Sequence, residues 1–452
     1  MGRSARGEFA YQAVYRYLET LIAQAGQGGA RRLPSLRDLS RRLRVSLATV
    51  QNAYSLLEHE GRVTSMPRSG YFVRLCPHDV EPITHAASSP FSLPPLVLPA
   101  LERMLLAHER RLARQAMRLP ASNRAPGSAS LRQVLAARHT RSSSQCWNAD
   151  DVHLACDVQA LLHTLVGALA LQGATALVAT PCCWRLLQGL RQADVRVLEV
   201  PLDGYLDLNV LEWLLLHEPV RLLLLPSCLA SPTGRLLAVH EQRKIEHLLD
   251  QHAVWLLEND LDSEHCFAAP PSARLRDGVD PRRLLVLGSL ESVVGVEAPY
   301  AYLLGRQPSV REAFVRRAFV LPPLRQQAVA LLLGRGDVDS QLQALRDMLA
   351  TRMGQLCREV ERRLGDHLIF QRPVGGRALW CRVRHPVDVR QVAVALAGSE
   401  LAVAPGDLFS LHGHYHQHLL LAWGGDEPAQ LQRAIEQLGQ VLQRQLTATT
   451  QG

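Results

Sequence analysis

Within residues 8–25, EFAYQAVYRYLETLIAQA, the side chains Tyr11, Val14, Tyr15, Leu18 and Ile22 recur at three- and four-residue intervals, the spacing of one helix face. The Gly-rich GQGGA ends that helix. In LPSLRDLSRRL (33–43), Pro34-Ser35 can start a second helix with Leu36, Leu39 and Leu43 facing inward. Arg44-Val45-Ser46 then turns the chain into LATVQNAYSLLEHEG, whose stripe is Val50, Ala53, Tyr54 and Leu57 and which Gly61 closes. RVTSMPRSGYFV (62–73) predicts two short strands about a turn. The order is helix, helix–turn–helix, β-wing.

The pattern changes twice more. Residues 75–100 are rich in Pro, Ser and Ala and read as a partly extended linker. From about residue 150 onward, apolar runs alternate with helical patterns. ATALVAT (174–180), DVRVLEV (194–200), VRLLLLP (220–226), AVWLLEN (253–259) and RRLLVLG (282–288) predict buried strands. LLHTLVGALALQ (161–172), WRLLQGLRQA (184–193) and VHEQRKIEHLLDQH (239–252) predict the helices between them, so a mostly parallel α/β sheet is expected. A C-terminal α+β portion follows, with helices near 324–364 and 427–446 and strands near 378–383, 401–404 and 418–423.

Composition fits that picture. A chain of 452 residues exceeds one core. Hydrophobic residues at 47% and charged residues at 20% suit an ordinary globular protein. No apolar run is long enough to span a bilayer, and MGRSARGEFAYQ lacks a signal-peptide core, so a cytoplasmic protein with no membrane partner is expected. Nine cysteines without a CxxC pair suit a reduced compartment. Residues 1–75 hold twelve arginines against five acids, a balance of +7 within a whole-chain charge of +8. A compact basic domain on a near-neutral body points to a polyanion partner. A second basic run, 101–141, carries nine arginines against Glu102 and Glu109 and reads first as a solvated helix face.

The N-terminal residues Leu33-Pro34-Ser35, Arg37, Leu39, Leu43, Val45-Ser46, Thr49-Val50, Ala53-Tyr54, Leu57, Glu60-Gly61 and Ser69-Gly70 resemble the winged-helix DNA-binding domains of the GntR family. The partner this implies is a double-stranded DNA operator. A helix of this kind enters the major groove with its first residues at the base edges, here Ser46, Leu47, Thr49 and Gln51. Gln51 can pair bidentately with adenine, and Arg37 with Ser35 lies where a phosphate would pass. Arg68 and Gly70 at the wing tip can reach the minor groove. Leu47 stands where the family usually has arginine, so one contact of the family is expected to be lost.

The rest of the chain resembles the fold type I aminotransferases, and the two parts together resemble the MocR type of GntR-family regulator. The landmarks are Gly127…Leu131-Arg132, Pro181 with Trp184, Pro226…Ser231-Pro232-Thr233-Gly234, Glu258-Asn259-Asp260, Gly288-Ser289, Pro373…Gly375-Gly376, and Ala404-Pro405-Gly406 before Phe409. The expected fold is multidomain. A winged helix-turn-helix (1–74) and a linker (75–100) precede an α/β aminotransferase-like large domain (101–320) and a C-terminal α+β subdomain (321–452).

The resemblance implies pyridoxal phosphate, and the residues refuse it. The motif that carries the Schiff-base lysine reads Gly288-Ser289-Leu290-Glu291-Ser292, with Ser292 at the lysine position. The only lysine of the chain is Lys244, in a predicted helix between two strands. In Glu258-Asn259-Asp260-Leu261-Asp262, Asn259 takes the place of the aspartate that holds the pyridinium nitrogen, and the tyrosine that should follow is missing. Asp157 in Cys156-Asp157-Val158 sets a negative charge where a phosphate is expected. Two arginine positions fall at Pro299 and Leu420. Neither a catalytic residue nor a bound cofactor is therefore expected.

Two smaller features stay open. His412, His414, His416 and His418 alternate; on a strand two or three can hold a metal, but Gly413 favours a solvated loop, and no metal site is assigned. Cys182-Cys183 can be redox-reactive or simply buried, and Glu291 can pair with an arginine the sequence does not name. The reading is a DNA-binding regulator whose aminotransferase-like part dimerises and can sense an unknown small molecule. The rival is a pyridoxal-phosphate-dependent aminotransferase-type enzyme or a cofactor-sensing regulator.

Overall fold

The computed structural model describes residues 14–15, 18, 33–43, 45–59, 63–66, 70–73, 93, 96, 98–115, 127–202, 204–295 and 300–451. The chain forms two compact units, Met1–Pro90 and Phe91–Gly452.

In the first unit, helix α1 (Leu36–Leu43) leads to α2 (Leu47–His59) and to an antiparallel pair, β1 (Val63–Met66) with β2 (Gly70–Val73). Val14, Leu18, Leu33, Leu39, Val50, Ala53, Tyr54, Leu57 and Val63 make one apolar core. Most of the helix expected over 8–25 lies outside the described residues, but Val14, Tyr15 and Leu18 are helical, and Val14 and Leu18 are buried. Tyr54 ties the unit together. Its ring stacks on Tyr71 at 4.1 Å, and its hydroxyl donates to the Pro34 carbonyl at 2.5 Å. Wing, turn and α2 are thus held through one side chain.

The second unit is built on a seven-stranded sheet. Its strands are β3 (Val152–Ala155), β4 (Thr175–Thr180), β5 (Arg196–Pro201), β6 (Val220–Pro226), β9 (Trp255–Asn259), β10 (Leu284–Ser289) and β11 (Ala301–Leu304). They lie in the order β3-β11-β10-β9-β6-β4-β5. All neighbours are parallel except that β11 runs antiparallel to both β10 and β3. The five strands read from the sequence form five adjacent members, because sheets covered on both faces need continuous apolar runs. A two-stranded hairpin, β7 (Leu229–Ala230) with β8 (Arg235–Leu236), follows β6.

Helices pack on both faces. Those that shape the site are α3 (Pro99–Gln115), α4 (Ala129–Arg141), α5 (Val158–Ala168), α6 (Trp184–Gln192), α7 (Leu208–His217) and α8 (Val239–Gln251). A second, four-stranded antiparallel sheet has the order β12 (Leu368–Phe370), β13 (Leu379–Val383), β15 (His418–Trp423), β14 (Leu401–Pro405). Side chains from Leu321 to Leu349 join the core of the large sheet, and the C-terminal core begins at Met353. The packing boundary therefore falls within the helix Asp337–Leu364, later than residue 321.

The basic run 101–141 divides by environment. Arg103, Arg110, Arg111, Arg114 and Arg141 are exposed. Arg132 is buried and donates to the Ala149 carbonyl at 2.7 Å, and Arg138 bonds Asp339 and Glu264. A uniformly solvated face does not describe it. Among the described residues, no helix is long and apolar enough to cross a membrane.

Candidate functional site

The first unit presents the exposed start of α2. Ser46 caps that helix: the Thr49 amide donates to Ser46 Oγ at 3.1 Å, and the two hydroxyls lie 2.7 Å apart. Thr49 itself is buried, at 8% exposure, so it is corrected from a base-reading residue to part of the cap. Leu47 and Gln51 are exposed as expected, and Ala48, Asn52 and Ser55 join them on the same helix face. Their exposure was not legible until the inward stripe had a fixed register. Ser35 Oγ accepts from the Asp38 amide at 3.2 Å, which places it at the start of α1 beside the exposed Arg37. Gly70 opens β2 at φ +98°, a conformation glycine adopts without strain. Arg68 lies outside the described residues.

In the second unit, a cavity of about 720 Å³ opens beyond the C-terminal ends of the parallel strands, where open α/β sheets place their ligands. Asp157 after β3, Cys183 after β4, Leu261 and Asp262 after β9, and Ser289 with Ser292 at the end of β10 line it. Arg377, Phe409 and Leu420 close it from the C-terminal subdomain. Ser292 sits on the four-residue helix Glu291–Val294, whose first amide donates to Ser289 Oγ at 3.1 Å.

Charge in this cavity is paired internally. Asp157 caps α5, its Oδ1 accepting from the Ala160 amide at 2.8 Å, while the Cys156 thiol donates to its Oδ2 at 3.3 Å. Asp262 Oδ1 lies 3.1 Å from His265 Nδ1. Burial works against the Asp262 charge, but the His265 bond and the nearby Arg377 outweigh it and hold the carboxyl below its usual range. Arg377 Nη1 lies 3.6 Å from Glu291 Oε1. That arginine is the partner the sequence left unnamed for Glu291; its one signal is its place after the Gly375-Gly376 landmark.

Behind the cavity wall, alternation along β9 sends Glu258 and Asp260 away from Asn259. Arg276, fully buried, lies 3.0 Å from Glu258 and 2.8 Å from Asp260, and it donates to Ser227 Oγ at 2.7 Å. Arg274 adds a second contact to Asp260 at 2.8 Å. Asn259 does not line the cavity; its Oδ1 accepts from the Leu261 amide at 3.2 Å.

The histidine-rich loop runs into β15 with only His418 on the strand, so the alternating residues share no strand face. His412 and His414 each place Nδ1 3.2 Å from the buried Glu199 carboxylate. Burial pushes the Cys182 and Cys183 thiols up, which disfavours the reactive thiolate.

Residues 10–73 match the family of bacterial regulatory proteins, gntR family, and residues 100–438 match aminotransferase class I and II. The chain belongs to the aminotransferase class I and II family. With the gntR-family domain ahead of it, it is a DNA-binding transcriptional regulator of the MocR-type arrangement.

The regulator is 25% identical over 470 residues to the uncharacterized HTH-type transcriptional regulator YjiR of Escherichia coli (strain K12), covering 95% of this chain and 99% of that one. It is also 25% identical over 370 residues to the HTH-type pyridoxine biosynthesis transcriptional regulator PdxR of Corynebacterium glutamicum, covering 76% of each. Among solved structures, the α-aminoadipate aminotransferase LysN of Thermus thermophilus superposes with a TM-score of 0.70 at 20% identity, over 78% of this chain and 92% of that one. Pyrococcus horikoshii kynurenine aminotransferase gives a TM-score of 0.69 at 16% identity, over 79% and 92%.

Within this aminotransferase-like unit, the positions compared with the family's cofactor site fall in different places. Asp157, Asp262, Ser292 and Leu420 all line the cavity, whereas Pro299 lies outside the described residues. Lys244 lies on α8 with Nζ 2.9 Å from Glu212 Oε2 on α7, and it does not line the cavity.

Proposed function

We propose that this regulator uses its aminotransferase-like unit as a non-catalytic module, which pairs two copies on an operator and responds to a small molecule without pyridoxal phosphate. The observation that carries the reading is the position of Lys244. The one lysine able to form a Schiff base is paired with Glu212 on helices flanking the sheet, and Ser292 stands in the cavity instead.

The other residues do not fit the cofactor either. A phosphate is held by backbone amides at a helix N-terminus. At α5 the Ala160 amide is taken by the Asp157 carboxylate, which would repel a phosphate. Glu258 and Asp260, the carboxylates nearest in sequence to the expected ring partner, are bound to buried arginines. Pairing of copies follows from the resemblance and from the two-fold symmetry that spaced half-sites require. On the DNA, the exposed face of α2 reads bases and Arg37 holds a phosphate.

The test is selection of bound genomic fragments by the full-length protein, with and without added pyridoxal phosphate. A discrete operator bound equally in both is expected. Binding that requires the cofactor would overturn the reading in favour of a cofactor-sensing regulator.

A further inference from the structure

Two cysteines far apart in sequence meet behind the cavity wall. Cys228 lies between β6 and the β7–β8 hairpin, and Cys266 follows the short turn Ser263–His265. Both are buried, and with Leu229 they form a small apolar cluster of their own. Cys228 Sγ lies 3.2 Å from Ser263 Oγ, and the Cys266 amide donates to the Ser263 carbonyl at 3.4 Å. One turn thus presents Ser263 and Cys266 to Cys228, and the two thiols are hydrogen-bonded to each other. The backbone holds them there. The Leu237 amide donates to the Cys228 carbonyl at 3.1 Å, and Cys266 is bridged to Gly375.

The surroundings make Cys228 the nucleophile of the pair. Burial pushes up the thiols of Cys156, Cys182, Cys183, Cys357 and Cys381. Cys228 is shifted down, because the bond from Cys266 and the charge of Arg274 outweigh burial. Arg274 and Arg346 both act on Cys266 as well. The Nε of each arginine is buried without a hydrogen-bond partner among the described residues, so donors remain for a sulfur that gains charge. Leu229 and His265, the chain neighbours of the two cysteines, line the cavity, which gives a small oxidant its approach.

We propose that Cys228 and Cys266 form a reversible disulfide when the protein meets hydrogen peroxide. The Cys228 thiolate attacks one peroxide oxygen, the O–O bond breaks, and the departing hydroxide takes up the thiol proton as water. Cys228 is then a sulfenic acid. The Cys266 sulfur bonds to the Cys228 sulfur, the S–O bond breaks, and a second water leaves. The two thiols lose two electrons and the peroxide gains them. The new bond would tie the hairpin that lines the cavity to the segment bridged to Gly375. A disulfide made on demand, unlike a permanent one, suits a reduced compartment.

The test treats the reduced full-length protein with graded hydrogen peroxide, then alkylates it in denaturant and maps its peptides. The exposed Cys146 is the internal reference. Loss of two hydrogens per chain is expected, with a linked Cys228–Cys266 peptide that appears before Cys146 is oxidised and disappears with dithiothreitol. Cys266→Ser is expected to leave a sulfenic acid on Cys228 that dimedone traps, and Cys228→Ser to leave Cys266 reduced. Cys228 and Cys266 both still alkylated once Cys146 is oxidised, or either one linked to a different cysteine, would overturn the proposal. The wild-type map decides even if a variant fails to fold.

Discussion

The Asp157 carboxylate accepts the amide proton of Ala160 at 2.8 Å, so the chain supplies its own anion to the first turn of α5. The sequence shows an isolated carboxylate between Cys156 and Val158; the structure makes it a helix cap. An N-cap of this kind contributes about 1 kcal/mol. Asp157→Ala is expected to lower stability by about that amount in urea unfolding, while Asp157→Ser, which keeps a capping oxygen, loses only a few tenths. Equal losses would show that the carboxylate's charge matters more than the cap.

The DNA-reading face makes separable predictions. Gln51→Ala should cost about 1–3 kcal/mol at the preferred operator and relax discrimination at one base. Arg37→Ala should weaken binding to all sequences and reduce the salt slope by about one. Thr49→Ala should act on stability, since its hydroxyl is spent on Ser46 at 2.7 Å. Quantitative binding at several salt concentrations distinguishes the three.

Why some of this was legible and some was not follows from particular residues. The five long strands carry continuous apolar runs, but β3 and β11 are four residues each, too short for a period to show. That the Gly288–Ser292 stretch holds no lysine needed only a count, and Ser292 lines the cavity. Thr49 was misjudged for a physical reason. A motif fixes the place of a residue along the chain, whereas the direction of its side chain depends on helix register or strand face. The Arg377–Glu291 pair and the Glu199 cluster join segments far apart in sequence, and no local pattern announces them.

The Arg276 network predicts a severe variant. Arg276→Met leaves Glu258, fully buried, without its partner at 3.0 Å. Breaking a buried pair in this way costs about 3–5 kcal/mol. Arg276→Lys should recover only part of that, because one ammonium cannot reproduce a planar fork shared among Glu258, Asp260 and Ser227. Denaturant midpoints of the two variants test both statements.

Glu199 predicts acid sensitivity. Burial alone would raise its carboxyl, but the bonds from His412 and His414 outweigh that and hold it well below the usual range. A carboxyl depressed on folding stabilises the protein above its unfolded value of about 4.3. That contribution is lost as pH falls through the folded value. Glu199→Gln should therefore be less stable than wild type near neutrality, with the difference shrinking as pH falls below about 4. Melting temperatures across that range measure it, and a constant difference would assign the effect to packing alone.

The central claim, that a cavity of aminotransferase type has been kept without its lysine chemistry, meets its most direct test in one reaction. The full-length protein is incubated with pyridoxal phosphate, reduced with borohydride and weighed by intact-mass spectrometry. The account predicts no stoichiometric adduct on Lys244 once the product is peptide-mapped, because that lysine lies on α8 beside Glu212 and outside the cavity. A stoichiometric phosphopyridoxyl adduct on Lys244 would contradict it.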